Sequence, residues 1–284
     1  LEGFQGNDLQ KNGSIAACAK HFAGYGAAES GRDYSTTNIP ENELRNVYLP
    51  PFKAAADAGV ATFMSAFSDL NGVPASGNKW LMTDILREEW HYQGFVVSDW
   101  ESVVQLTTHG FSKDNKDAAY EAANAGIDME MVSTTYLDHL PELLAEGRID
   151  IQQINNAVQK ILHLKWQLGL FASPYTNGPY TDANLLPKPL NSEHLQAAKD
   201  AAIKSCVLLK NDNNRLPLSA ESLQSIAIIG PLADDPYEQL GTWIFDGDSK
   251  HSQTCLTAIE QLLSGKVSID HVKAMETSRS YEQA

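Results

Sequence analysis

The stretch Gly94-Phe95-Val96-Val97-Ser98-Asp99-Trp100 decides the fold class of this chain. Three apolar residues of strand-forming type lead directly into a carboxylate, which is typical of a buried parallel strand whose first charged side chain emerges where the strand ends. Enzymes often carry their chemistry at that edge of a parallel sheet, so Asp99 is the first candidate catalytic residue. The alternative is that Asp99 caps the following helix, as Asp often does at a strand-to-helix turn.

Four short apolar runs recur along the first half of the chain, with helical patterns between them. The predicted strands cover residues 15–22, 60–67, 95–98 and 126–131, and the predicted helices cover 41–57, 79–90 and 116–125. Alternating strands and helices predict an α/β fold, and right-handed crossovers make the strands parallel. Polar residues end every strand: Lys20-His21, residues 65–69, Ser98-Asp99 and residues 128–133. This shared polarity favours a (β/α) barrel over a doubly wound sheet.

Four strands cannot close a barrel that needs eight. We therefore expect either an open sheet or, for residues 1–170, the second, C-terminal half of a (β/α)8 barrel. The last helix of this part is predicted over residues 151–168, with one apolar face. That face comprises Ile154, Val158, Ile161, Leu162 and Trp166. Prolines among polar residues at 171–191 then predict an interdomain linker.

Residues 192–284 have the pattern of a second α/β unit, interpreted as the first part of an α/β sandwich. The predicted elements are a helix at 192–204, strands at 206–209 and 226–229, a helix at 253–263 and a strand at 266–272. Gly230-Pro231 after the second of these strands could suggest a nucleotide-binding turn. The sandwich is favoured, because the dinucleotide glycine spacing is absent and Pro231 lacks a backbone donor.

The composition excludes several classes of partner. With 21 Lys and Arg against 36 Asp and Glu, the formal net charge is −15, which argues against nucleic acid and against an anionic membrane surface. No run approaches the roughly 20 apolar residues of a membrane span. Cys18, Cys206 and Cys255 show neither metal-ligand spacing nor a disulfide framework, and Cys18 and Cys206 are expected in the core. An uncharged or cationic small molecule remains as ligand.

The first predicted strand ends in Lys20-His21, followed by a glycine loop around Gly24 and Gly26. In isolation, such a pair is most simply a solvated lysine and a hydrogen-bonded core histidine. Here a strand-end cation would share an edge with the strand-end carboxylate of Asp99, and glycine permits close approach of a ligand to the backbone. The pair is therefore a second candidate site element.

Five separated motifs in this order resemble a two-domain β-glucosidase of glycoside hydrolase family 3. The motifs are Lys20-His21-Phe22, Tyr48-Leu49-Pro50-Pro51-Phe52, Asn71-Gly72-Val73-Pro74, the stretch 94–100, and Val207-Leu208-Leu209-Lys210-Asn211. The resemblance implies a barrel followed by an α/β sandwich, completed by further segments of the same enzyme. It also implies a retaining, exo-acting β-glucosidase that releases terminal non-reducing β-D-glucosyl residues through a covalent glycosyl-aspartate. Its substrates would be β-linked oligosaccharides or aryl and alkyl β-glucosides, with no cofactor or metal.

The same resemblance assigns roles to individual positions. Asp99 matches the catalytic nucleophile, and Lys20 and His21 match a pair that binds sugar hydroxyls. Trp100 matches an aromatic wall, and Met64 matches a position that contacts the sugar. Phe67 departs from the pattern, because many relatives carry tyrosine there. Its missing hydroxyl leaves Phe67 as a packing residue of the site.

The acid/base is expected beyond Ala284, and Glu276 is assigned no role. A β-N-acetylglucosaminidase of this family is disfavoured, because no histidine lies between His21 and His91, whereas a β-xylosidase stays open. The rivals outside the family are a Schiff-base aldolase with Lys20 as the amine, and a non-catalytic sugar-binding protein or inactive fragment. A periplasmic or secreted location is expected.

Overall fold

The computed structural model describes residues 1–11, 13–174, 190–263 and 265–273. The chain divides into two compact units, Leu1–Lys188 and Pro189–Ala284. The predicted linker lies largely outside the described residues, as does Glu276.

The first unit contains a parallel sheet of four strands, in the order β1-β2-β5-β6. The strands are β1 (Cys18–Phe22), β2 (Thr62–Ser65), β5 (Phe95–Trp100) and β6 (Met129–Met131). Each lies inside or next to a predicted apolar run, and each pair of neighbours is parallel. The predicted mixed α/β architecture with a parallel sheet is confirmed.

A small antiparallel hairpin interrupts the alternation after β2. It consists of β3 (Asp69–Leu70) and β4 (Val73–Pro74) and was not predicted from the sequence. The Asn71 side chain at its turn accepts from the Ile39 amide at 2.8 Å and donates to the Ile39 carbonyl at 2.9 Å. The hairpin thereby anchors the long loop that follows β1.

Helices separate the strands, mostly where the pattern predicts them. The α-helices of this unit are α1 (Glu2–Gln5), α2 (Glu41–Glu43), α3 (Pro50–Asp57), α4 (Gln105–Thr108), α5 (Asn115–Ala125), α6 (Thr135–Ala145) and α7 (Ile151–Gln167). Two wider helices, Leu44–Tyr48 and Trp80–Glu89, have i→i+5 hydrogen bonds. The predicted helix 41–57 is therefore three helical segments. Pro50 and Pro51 have no amide to donate, which explains the break before α3.

The core of this unit lies between the sheet and its helices. Phe22 on β1 and Phe63 on β2 are fully buried, with ring centroids 5.3 Å apart in an edge-to-face contact. Phe52 of α3 contacts Phe22 in the same manner at 5.2 Å. Such aromatic pairs stabilise a core beyond the area that they bury, and they fix β1 against β2 and α3.

Asp128 lies at the opposite edge of the sheet from Asp99. The sequence pattern groups it with the polar residues that follow a strand, but in the structure it precedes β6, so that prediction is wrong. Its side chain is 5% exposed and contacts Lys160 Nζ at 2.6 Å and Arg87 Nη2 at 2.5 Å. The Val96 amide also donates to it at 2.8 Å. A buried carboxylate needs such compensation, so Asp128 has a structural position.

The predicted apolar face of the long helix is only partly covered within the described residues. Val158, Leu162 and Trp166 are exposed in α7, Trp166 to 60%, whereas Leu164 is buried. The inner side of α7 includes Lys160, which Asp128 binds. A lysine therefore lies where an apolar stripe would place a hydrophobic residue.

The second unit contains helices α8 (Ser192–Ser205) and α9 (Cys255–Leu263) and the parallel pair β7 (Ser225–Ile229) and β8 (Ser268–Val272). The predicted strand 206–209 is wrong for the described residues: it pairs with none of them, and Leu209 is 92% exposed. Cys206 and Cys18 are exposed as well, which corrects their predicted core positions.

Replacing Asp128 with Asn should destabilise the protein by about 3–5 kcal/mol, because Arg87 and Lys160 would lose the charge that compensates their partial burial. Asp57→Asn is the matched control, since it breaks an exposed i,i+4 pair with Lys53 and should cost less than about 1 kcal/mol. Urea unfolding followed by tryptophan fluorescence measures both. Equal losses in the two variants would contradict the structural role of Asp128.

Candidate active site

Two strands of the sheet are irregular at their carboxyl ends. On β1, Ala19 faces Phe63 and Phe22 faces Ser65, so β1 has one more residue than β2 between these pairs. This bulge contains Lys20 and His21. Bulges re-aim side chains and are frequent beside active sites.

The second bulge lies on β5. Val97 faces Met129 and Trp100 faces Met131, so β5 has one more residue than β6 over this span. The bulge contains Ser98 and Asp99. Both candidate motifs of the sequence therefore occupy the positions where the regular ladder is broken, at the same edge of the sheet.

The hydroxyl of Ser98 repairs the ladder at this bulge. It accepts a hydrogen bond from the Met131 amide at 2.9 Å and donates to the Asp99 carbonyl at 2.9 Å. Ser98 is fully buried. Its side chain thus satisfies a strand amide and fixes the backbone of Asp99. The sequence pattern marks Ser98 only as a strand end and does not reveal this role.

Asp99 is 7% exposed, and its two oxygens differ in their contacts. Oδ1 accepts a hydrogen bond from the Trp100 amide at 2.7 Å. Oδ2 is buried and has no hydrogen-bond partner among the described residues. It lies 3.4 Å from His21 Nε2, within ion-pair distance but without the alignment of a hydrogen bond. One carboxylate oxygen is therefore held and the other is uncommitted.

Asp99 does not cap a helix. The next helix, α4, begins at Gln105, and the residue before it is Val104, which has no side-chain cap. The Asp99 carbonyl instead accepts the Ser102 amide at 3.1 Å in the turn that follows β5. The capping alternative is wrong, and the carboxylate is left for another use.

His21 is partly buried between charges of both signs. Burial lowers the pKa of His21 below its ordinary value and is the largest influence, while Asp99 raises that pKa and Lys20 lowers it. Asp33 also raises the pKa of His21. The net lowering favours a neutral imidazole, which can donate from one nitrogen and accept at the other.

An aromatic cluster adjoins His21. The Tyr25 ring lies 4.8 Å from the His21 ring, and Phe67 contacts Tyr25 at 6.2 Å and Tyr34 at 4.5 Å, as distances between ring centroids. The Tyr25 hydroxyl donates to Asp33, and burial, followed by this carboxylate, raises the pKa of Tyr25. Tyr25, Asp33 and Tyr34 were not predicted as neighbours of the site. The available signal was the glycine turn at Gly24 and Gly26, which directly follows the predicted strand end at His21.

The remaining predicted residues lie along the same edge with fewer contacts. Lys20 is exposed beside His21, and Trp100 is 57% exposed directly after Asp99. Met64 is half-buried on β2 and faces Val97 in register. The structure thus brings His21 to Asp99 and packs Phe67 near His21 through Tyr25. Within the described ranges, no ion pair joins Lys20 to Asp99.

The described residues of the site offer no metal cage. In the part of the chain that the structure describes, no three His, Cys, Asp or Glu side chains gather in a way that could hold a metal ion. What the edge does offer is a carboxylate with a free oxygen, a neutral imidazole, an ammonium group and an exposed indole. This set can attack a carbon electrophile and bind hydroxyl groups.

Comparison with known proteins identifies the family. Residues 1–164 match the glycosyl hydrolase family 3 N terminal domain, and residues 206–282 match the C-terminal domain of the same family. The chain belongs to glycosyl hydrolase family 3.

Its relatives in that family include enzymes for two sugars. A periplasmic β-glucosidase of Salmonella typhimurium is 36% identical over 277 residues, covering 96% of this chain and 36% of the relative. A β-xylosidase of Formosa agariphila is 33% identical over 299 residues, covering 97% of this chain and 40% of the relative. The crystal structure of a β-glucosidase from Listeria innocua in complex with glucose has a TM-score of 0.86 and 37% identity, covering 98% of this chain and 38% of that chain. This family 3 chain therefore spans less than half the length of these relatives.

The lowered pKa of His21 predicts a pH dependence of stability. Because the folded state favours the neutral ring, the unfolded state binds a proton more readily between the lowered pKa and the ordinary value of 6.5. Stability should therefore fall as the pH drops from about 7 towards 5, and His21→Gln should reduce that fall. Urea midpoints across this range measure it, with His163→Gln on the outer side of α7 as control. A steeper loss of stability with falling pH in His21→Gln would contradict the lowered pKa of His21.

Proposed function

We propose that the chain supplies the nucleophile half of a retaining β-glucosidase that releases terminal non-reducing β-D-glucosyl residues. The observation that carries the proposal is the uncommitted Oδ2 of Asp99, held at the carboxyl edge of the parallel sheet 3.4 Å from His21 Nε2. Membership of family 3 and the similarity to β-glucosidases support it. The substrates are β-linked oligosaccharides or aryl and alkyl β-glucosides.

In the proposed reaction, Asp99 Oδ2 attacks the anomeric carbon while the bond from that carbon to the leaving oxygen breaks. A separate carboxylic acid protonates the leaving oxygen, and a covalent glycosyl-aspartate forms. The same group then takes a proton from water, which attacks the anomeric carbon and releases Asp99. The net result is hydrolysis with retained β configuration.

The acid/base is proposed to come from a segment that follows Ala284 in the complete enzyme. Retaining glycosidases need their two carboxyl groups roughly 5–5.5 Å apart. The relatives are much longer than this chain, which leaves room for such a segment. Glu276 lies outside the described residues and is assigned no role.

The neighbours of Asp99 are proposed to bind the sugar. A neutral His21 can donate to one hydroxyl and accept from another, and the Lys20 ammonium can donate to an adjacent hydroxyl. The exposed indole of Trp100 offers an apolar face for the sugar ring. Met64 and Phe67 supply apolar contact at the same edge. Phe67 has no hydroxyl, so the phenol groups of its aromatic cluster belong to Tyr25 and Tyr34.

β-Xylosidase activity is the second candidate, since relatives of both kinds match over most of this chain. Xylose lacks the hydroxymethyl group of glucose. Comparing kcat/KM for an aryl β-glucoside with kcat/KM for an aryl β-xyloside therefore decides between the two activities.

The sheet is further proposed to be the second half of a (β/α)8 barrel, with residues 192–284 forming the first part of an α/β sandwich. The exposed apolar residues of α7 and of residues 207–209 support this, because their faces are uncovered within the described parts of the chain. The completing partners would be other segments of the same enzyme. None of the helices among the described residues has the length and apolarity to span a membrane. A periplasmic or secreted location is proposed from the similarity to a periplasmic relative.

Incubation of the complete enzyme with a 2-deoxy-2-fluoro-β-glucoside should leave a covalent adduct on the peptide that contains Asp99. Asp99→Ala should lose several orders of magnitude in kcat, because the covalent route disappears. Mass spectrometry locates the adduct, and azide should rescue the variant by forming an α-glucosyl azide. Glu101→Gln, two residues along the chain, is the matched control and should still be labelled at Asp99.

An adduct on another carboxylate would refute the assignment of Asp99. Borohydride trapping of a carbonyl substrate on Lys20 would instead support the aldolase alternative.

Lys20→Ala should lower kcat/KM by about 10-fold or more, because a charged hydrogen bond to a sugar hydroxyl contributes on the order of 1.5–3 kcal/mol. The exposed Lys113→Ala is the control and should leave kcat/KM unchanged. Kinetics with an aryl β-glucoside measure both variants. A loss of thermal stability in Lys20→Ala with normal activity per folded molecule would show that Lys20 has only a structural role.

A further inference from the structure

Three serine hydroxyls form a buried chain beneath the carboxyl edge of the sheet. Ser65 Oγ lies 2.8 Å from Ser76 Oγ, and Ser76 Oγ lies 2.7 Å from Ser102 Oγ. All three residues are buried, none exposed by more than 4%. The two contacts join residues 11 and 26 positions apart, so they connect separate structural segments rather than neighbours in one turn.

Each serine belongs to a different structural segment of the candidate site. Ser65 is the last residue of β2, between Met64 and Phe67. Ser76 lies in the short helical turn Ala75–Gly77 after the hairpin. Ser102 lies in the turn that follows β5, and its amide donates to the Asp99 carbonyl at 3.1 Å. The chain of hydroxyls therefore joins the backbone of Asp99 to β2, which carries Met64 and is followed two residues later by Phe67.

The turn after Asp99 needs such support. Glu101, between Asp99 and Ser102, has a φ of 57°, in the left-handed region that costs a residue with a Cβ about 1–3 kcal/mol. Its amide donates to the Met131 carbonyl at 3.1 Å. Strained backbone persists only where the surrounding contacts over-determine it. Ser102 supplies such contacts through both its amide and its hydroxyl.

The middle hydroxyl is the critical one. Ser76 is the one member that contacts both others, so removing its oxygen leaves Ser65 and Ser102 buried without their partner. An orphaned buried hydroxyl is costly, whereas replacing all partners with apolar groups of similar shape can be nearly neutral for stability. Mutation can therefore separate the effect of these serines on protein stability from their effect on the position of Asp99.

We propose that Ser65, Ser76 and Ser102 are positioning residues, which hold the Asp99 turn at a fixed place relative to β2 so that Asp99 meets the anomeric carbon in line. The inference rests on the proposed function, since it assigns Asp99 as nucleophile. None of the three serines is proposed to touch the sugar. A displacement of about 1 Å between reacting groups can cost on the order of 100-fold in rate.

The test compares two variants of the complete enzyme: Ser76→Ala, and the triple variant Ser65→Ala/Ser76→Ala/Ser102→Ala. Ser112→Ala is one control, because it removes a buried hydroxyl that has no partner among the described residues. Leu143→Val is the second control, because it loosens the separate cluster of α5 and α6 and lowers stability away from the site. Each protein is measured for Tm, for kcat/KM with an aryl β-glucoside, and for inhibition by glucose.

Ser76→Ala should lower kcat/KM by about 10-fold or more, with the inhibition constant of glucose within about twofold. The triple variant should recover most of the Tm lost in Ser76→Ala, while its kcat/KM stays low. Both controls should keep kcat/KM per folded molecule. Recovery of kcat/KM together with Tm in the triple variant, or unchanged kcat/KM in Ser76→Ala, would overturn the proposal.

Hydrogen exchange separates this proposal from the proposed function. Amides of residues 99–104 should exchange faster in Ser76→Ala and in the triple variant than in Ser112→Ala. Unchanged exchange there would overturn the positioning role even in an active enzyme. Absence of turnover in the unsubstituted enzyme would refute the proposed function, whatever the hydrogen exchange shows. It would also refute the catalytic role of the three serines.

Discussion

The buried carboxylate of Asp128 is the interaction on which the frame of the sheet depends. An isolated carboxylate in that position would cost several kcal/mol, and the chain offsets this with two cations and a strand amide. The cations belong to the helix Trp80–Glu89 and to α7, and the amide belongs to Val96 of β5. One charge therefore ties two helices to the starting ends of two neighbouring strands, and it fixes where those strands emerge at the other edge.

The opposite edge is built differently, because its strands are irregular. One extra residue in β1 and one in β5 break the ladder where His21 and Asp99 lie. Side-chain hydroxyls replace the lost backbone pairing, most directly Ser98, which binds the Met131 amide. β5 is thus regular at the end that Asp128 anchors and irregular at the end that carries Asp99. The two bulges explain how the motif residues of this family 3 chain reach a common edge of the sheet.

Much of this arrangement could be predicted from sequence, because apolar runs of strand length report burial directly. The parallel sheet followed from them, and Asp99 and His21 followed from the polar residues at strand ends. The inward position of Lys160 on α7 could not be predicted, since its contact with Asp128 joins residues far apart in sequence. The prediction of a strand at 206–209 was wrong for a related reason, because a strand forms only where it has a partner to pair with. A bulge leaves no mark in composition, so the geometry at Asp99 was not foreseeable.

The alignment of His21, rather than its charge, leaves one oxygen of Asp99 uncommitted. Burial is the largest influence on the pKa of His21 and lowers it, with a contribution from Lys20, although Asp99 and Asp33 raise that pKa. The lowered pKa favours a neutral ring, but a neutral imidazole still carries one N–H that can donate to a carboxylate. His21 Nε2 lies 3.4 Å from Oδ2 without the alignment of a hydrogen bond, so Oδ2 has no hydrogen-bond partner among the described residues. Because His21 lies in the bulge of β1, the geometry of that bulge decides how the ring faces the carboxylate.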